Sequence, residues 1–258
     1  MINVSRARWI AFYVLAALLT LLAGAEMVNH IFMDTNSPHL IHSAGHLVVS
    51  ALVFASIAIQ LWSPRRRIAG VQQLIVLSIA VAVALALSAY FTEFVIAYLV
   101  IGLLLAALHP ARGSLLKLGA NASVPMSVVA VAGGVGFAAY ALGQAAVQRA
   151  IGLDPVHGAH WSLMAAVTLI IPAVALLASA RTDGWRLPAY GAAAGAILLG
   201  VSSLLVPHEP SAFSTVGALA AVAWAVVLAA VAELRWIAKR IGLKRIRRVI
   251  SNSAEQGA

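Results

Sequence analysis

The sequence predicts an all-α polytopic membrane protein, with about eight transmembrane helices in a parallel 4+4 internal repeat and both termini inside. Three observations carry that prediction. The 258 residues are 62% hydrophobic and 10% charged, with a mean hydropathy of +0.97. A soluble domain has about 45–50% apolar and about 25% charged residues. Apolar runs of roughly 20 residues recur from end to end, the length a bilayer-crossing helix needs. Lys and Arg fall on every second connection between those runs.

Each element follows from where an apolar run begins and what stops it. The first helix is expected from Trp9 to Met33. The second starts at Pro38 and ends near Trp62, before Arg65, Arg66 and Arg67. The third runs from Ile68 to Leu87 and the fourth from Thr92 to Leu108, where His109-Pro110 stops it. A polar linker from Ala111 to Ser123 follows. The fifth helix spans Val124 to Ile151, and the sixth Pro155 to Ser179, with a kink at Pro172, which lacks an N–H. The seventh spans Leu187 to Val206 and the eighth Ser211 to Ala238.

Orientation follows from the basic residues. Arg6 and Arg8, Arg65 to Arg67, Arg112 and Lys117, Arg181 and Arg186, and Arg235 with the tail alternate with connections whose only basic residue is Arg149. Both termini are therefore expected in the cytoplasm. The basic start, apolar run and Ala23-Gly24-Ala25 also suit a cleaved signal peptide, although the run is long for one. The Ala-rich, basic composition fits a bacterial inner membrane.

The two halves look alike. A shift of 118 residues carries His39 and His42 onto His157 and His160 (157 − 39 = 118; 160 − 42 = 118) and His46 onto Met164. It carries Glu26 and His30 onto Gln144 and Gln148. No gap is needed. Three parts follow: a first four-helix half (1–118), a second (119–238) and a basic cytoplasmic tail (239–258). Such repeats are frequent in membrane proteins. The match also argues that residues 9–25 form a retained helix.

On this topology His30, His39, His42, His46, His157, His160 and His208 gather at the outer face, and only His109 is inside. At 100° per residue, Glu26, Asn29, His30 and Met33 share one face of the first helix. His39, His42 and His46 share a face of the second, and His157, His160 and Met164 repeat it in the sixth. The connection through Asp34, Thr35, Asn36 and Ser37 is short, so the first two helices are antiparallel neighbours and Glu26/His30 can meet His42/His46. Ionisable groups inside a membrane are costly and usually functional. Neutral imidazole is the commonest ligand of transition metals, a carboxylate can ligate or orient it, and Met33 and Met164 would suit copper(I). The expected metal site is Glu26, His30, His42 and His46, with His39, His157 and His160 nearer the surface as an entry or second site.

Blander readings apply elsewhere. His208 and His109 are read as interfacial polar residues. A second reading of His39 and His157 is that they only decorate first turns after Ser37-Pro38 and Asp154-Pro155. Gly133, Gly134, Gly136 and Gly143, and Gly191, Gly195 and Gly200, are read as helix-packing positions. Asp34, Asp154, Glu93 and Glu209 make an acidic mouth attractive to cations. The tail, with Ile241, Leu243 and Ile246 among Lys and Arg, is expected to lie on the inner membrane surface.

Three functions compete. The first is a membrane protein that binds a transition metal, copper before zinc or iron, for transport or delivery. The second is a membrane metalloenzyme or haem-bearing oxidoreductase. The third is a proton-coupled small-molecule transporter with Glu26 and His30 as the relay. Cysteine is absent, which excludes thiolate sites and disulfides. No G-x-S-x-G, Walker, H-E-x-x-H or C-x-x-C motif occurs. The net charge of +9 reads as the cytoplasmic charge of a membrane protein, with the lipid bilayer and not nucleic acid as partner. In general plan, with His42-x-x-x-His46 at the start of a helix, the chain resembles bacterial copper-handling membrane proteins and oxidase-assembly factors.

Overall fold

The structure is a computed structural model that describes residues 4–32, 40–90, 93–152 and 159–240. The described residues form eight α-helices: α1 (Val4–Phe32), α2 (Leu40–Trp62), α3 (Ile68–Ser88), α4 (Glu93–Leu108), α5 (Val124–Ile151), α6 (His160–Ser179), α7 (Arg186–Leu205) and α8 (Thr215–Arg240). Seven are long and apolar enough to cross a membrane. Helix is the required form here, because it satisfies every backbone N–H and C=O within the segment where lipid offers no partner. α4 has 16 residues, about 24 Å at 1.5 Å per residue, which is shorter than the roughly 30 Å hydrocarbon core.

The helices fall into two shells. α3 and α6 are 67% buried along their spans and α2 and α7 56%, whereas α1, α5 and α8 are 17%, 22% and 28% buried. α2, α3, α6 and α7 therefore form the centre, with α1 against α2 and α4, and α5 and α8 against each other and α6 and α7. The core is a stack of aliphatic side chains, Val167, Ile170, Ile171 and Val174 of α6 being fully enclosed. α6 runs through Pro172 as one helix. Close packing uses glycine selectively. A Cβ on Gly133 would collide with the Trp224 indole, and one on Gly200 would stand 2.8 Å from the Ala218 carbonyl. Gly136 and Gly143, expected to do the same, have nothing within 4 Å of that position.

One end of the bundle collects the arginines. Arg186 donates to both carboxylate oxygens of Glu233, at 2.6 and 3.0 Å. Arg65 lies 4.8 Å over the Trp9 ring. Ala69 N–H donates to the Asp183 carbonyl and Ser123 N–H to that of Ser179, at 3.0 and 2.7 Å. Gln72 Nε2 donates to the Leu115 carbonyl at 2.7 Å. α3 starts at this end and Leu115 is back beside its first turns, so the chain between them returns along the bundle through α4. His109 belongs here too, but as a fully buried group and not as an interfacial one. Ala111 N–H donates to its Nδ1 at 3.1 Å, so Nε2 carries the proton and faces Gln60 Oε1 at 3.3 Å.

A candidate histidine site at the other end of the bundle

α1, α2 and α6 each bring histidine to the opposite end, where α2 and α6 begin. His42 and His46 are one turn apart on α2, so both point the same way. His42 Nδ1 lies 2.7 Å from His160 Nδ1, and its Nε2 lies 3.0 Å from His46 Nε2. His160 Nε2 lies 3.0 Å from Ser211 Oγ, which donates to Gln144 Oε1 at 2.6 Å. His30 stacks face to face on His46, with ring centroids 4.5 Å apart and planes 12° from parallel. Its Nε2 is 3.0 Å from Glu26 Oε1. The Glu26 side chain is 58% exposed and that of His30 9%.

With the three rings neutral, the direction of this chain of bonds follows from the Gln144 end. The Ser211 hydroxyl spends its proton on the Gln144 carbonyl oxygen, so it accepts from His160 Nε2–H. A neutral imidazole has one donor and one acceptor. His160 Nδ1 therefore accepts from His42 Nδ1–H, and His42 Nε2 accepts from His46 Nε2–H.

The connection between α7 and α8 covers the site. The Glu209 carboxylate accepts from the backbone N–H of Leu40 and of Ile41, at 3.0 Å each, and so caps α2 two residues before His42. Tyr140 O–H donates to the Ser211 carbonyl. Ser211 adopts a left-handed backbone with φ of 66°. Gln148 Oε1 accepts from Ser162 N–H at 3.1 Å and steadies the first turn of α6. Ser211 and Tyr140 had no signal in the sequence, because neither lies in a spacing that names a ligand. Gln144 and Gln148 were legible only as the counterparts of Glu26 and His30.

The expected residues divide. Glu26 and His30 form one pair, and His46, His42 and His160 one chain, joined by the His30–His46 stack. Met164 is on the expected face of α6, but it is fully buried in the aliphatic core, its sulfur 3.0 Å from where a Cβ on Gly45 would stand. Met33, His39, His157, Asp34 and Asp154 lie outside the described residues. Glu209 is a helix cap as well as part of the expected acidic mouth, and His208 is exposed. Among the described residues no group of three or more His, Asp or Glu is arranged to hold a metal ion. Comparison of the chain with protein-family models, with curated proteins and with solved structures finds no match.

Proposed function

We propose that the chain is an eight-span membrane protein, N-in and C-in, whose histidine end binds a transition metal, copper before zinc or iron, for transport or delivery. The observation that carries this reading is His42. Its Nδ1–H is committed to His160, which fixes the direction of its Nε2 lone pair, and His46 Nε2 stands 3.0 Å away. Two nitrogens on one tetrahedral ion with bonds of about 2.0–2.1 Å are about 3.3 Å apart, so the pair needs little movement to share an ion. Binding moves the His46 proton to Nδ1. His160 then serves as the outer partner that orients a ligating imidazole. Further ligands come from His30, water, Met33, His39 or His157. Metal analysis of the purified protein after loading with copper(I), zinc or iron(II) tests this. One ion per chain, lost in His42→Ala/His46→Ala, supports the reading. No bound metal in either protein sinks it.

A proton-coupled transporter is the second reading, favoured by the unbroken chain from His46 to Ser211. Ser211→Ala cuts the relay and leaves His42 and His46 in place. Proton-coupled uptake into proteoliposomes that falls in Ser211→Ala, with metal binding absent throughout, would select it.

The repeat and its topology belong to the same proposal. The helix neighbours support the repeat: α2 meets α7 as α6 meets α3, and α1 packs on α2 as α5 packs on α6. His42 and His160, 118 residues apart, touch where a two-fold axis along the bundle would pass. The arginine end reads as cytoplasmic in a bacterial inner membrane.

A further inference from the structure

The arginine end carries a second feature, independent of the histidines. A groove of about 510 Å3 runs between α2 and α7 on the outside of the bundle. Its α2 wall is the stripe Leu47, Ala51, Ala55 and Ile59, one residue per turn. From Leu47 to Ile59 is about 18 Å at 1.5 Å per residue, and one leaflet's hydrocarbon is about 15 Å deep. The groove therefore follows the path of an acyl chain. Its opposite wall is hollowed by Gly191, Ala194 and Gly195.

The groove is charged at one end only. Arg67 and Arg186 line it there. Arg186 uses Nε and one terminal nitrogen on Glu233 and keeps further N–H donors. Arg67 is exposed and has no ion-pair partner among the described residues. Two guanidinium groups thus line this end of the groove and, among the described residues, no carboxylate does.

The wall holds one polar atom that nothing satisfies. Gln73 is fully buried, its Nε2 donates to the Leu52 carbonyl at 3.2 Å, and its Oε1 has no partner. That oxygen is 4.0 Å from the point a Cβ on Gly191 would occupy, so it faces the groove through the glycine. An orphaned buried acceptor carries the full cost of its lost hydration. It lies five residues into α3, about 7.5 Å along the helix from Ile68 and so near the arginine end of the groove.

We propose that this groove holds one anionic phospholipid, its phosphate on Arg67 and Arg186 and one acyl chain along α2. The full chain in mild detergent is titrated with phosphatidylglycerol, with phosphatidylcholine of the same chains, and with glycerol 3-phosphate. Bound lipid is counted by native mass spectrometry, and thermal unfolding is followed in parallel. The expected result is one phosphatidylglycerol retained at least fivefold over phosphatidylcholine, with a higher melting temperature. Arg67→Gln brings retention down to the phosphatidylcholine level, and Arg66→Gln, outside the groove, leaves it unchanged. Ala194→Phe fills the exposed groove without touching the core and removes the bound lipid. Equal retention of the two lipids overturns the proposal. Equal damage from Arg66→Gln and Arg67→Gln overturns it too, because it marks a diffuse field. Protection by glycerol 3-phosphate as large as that by lipid shows a soluble-phosphate site and overturns the acyl-chain part.

Discussion

At the scale of single residues, His109 shows how far burial changes an imidazole. Enclosure among Phe12, Gln60 and the turn after α4 lowers its pKa from 6.5 to about 4. The unfolded chain then takes up the proton first as pH falls. Its contribution is complete above about pH 6.5 and is lost as pH drops towards 4, on the order of 3 kcal/mol in full. Thermal unfolding of the wild type between pH 7 and 4 is expected to show that loss, and His109→Gln to lack this part of it. An identical pH dependence in the two proteins would refute the assignment. His109 also shows a limit of reading residues in sequence. The histidine itself was legible, but its enclosure depends on Phe12 and Gln60, 97 and 49 residues away (109 − 12 = 97; 109 − 60 = 49). By contrast, His42 and His46 were legible as a pair because the helical repeat alone puts them on one face.

At the scale of elements, helix boundaries were legible where the sequence changes from apolar to charged or Pro-bearing. α3 starts at Ile68 after three arginines, and α5 begins at Val124 with Pro125 in its first turn. α8 departs from expectation: it begins at Thr215 and not at Ser211. The reason is tertiary. Glu209 reaches the first N–H groups of α2, Ser211 is held by His160, Gln144 and Tyr140, and Phe213 N–H donates to Ser203 Oγ at 3.0 Å. Those bonds draw residues 206–214 over the bundle end, and no local pattern announces them. The cap is testable. Glu209→Ala removes both acceptors and should lower stability by about 1–2 kcal/mol, whereas Glu209→Gln keeps one oxygen and should lose less. Melting temperatures in detergent rank the three proteins. No difference between wild type and Glu209→Ala would mean that the strap contributes nothing to α2. If the metal reading also holds, Glu209→Ala should weaken binding, because His42 sits in the turn that Glu209 fixes.

At the scale of the whole molecule, α4 decides the topology. Its 16 residues fall short of a full span, yet the chain must return from the end of α3 to Leu115 beside the start of α3. If that return crosses the bilayer, the eight passes place every basic connection on one side. If it does not, the two halves have to enter the membrane in opposite senses. His42 and His160, at the starts of α2 and α6, touch at one end of one bundle, which fits the first arrangement and supports the proposed eight passes. The cysteine-free chain makes the test direct. His208→Cys and Lys117→Cys each introduce a single thiol at an exposed position, one at either end. With an impermeant maleimide on intact cells, His208→Cys should label fully and Lys117→Cys only after the membrane is opened. The reverse pattern would invert the protein and put the histidines in the cytoplasm, where the reading of an extracytoplasmic metal entry fails. Labelling of both from outside would break the eight-span arrangement and, with it, the parallel repeat.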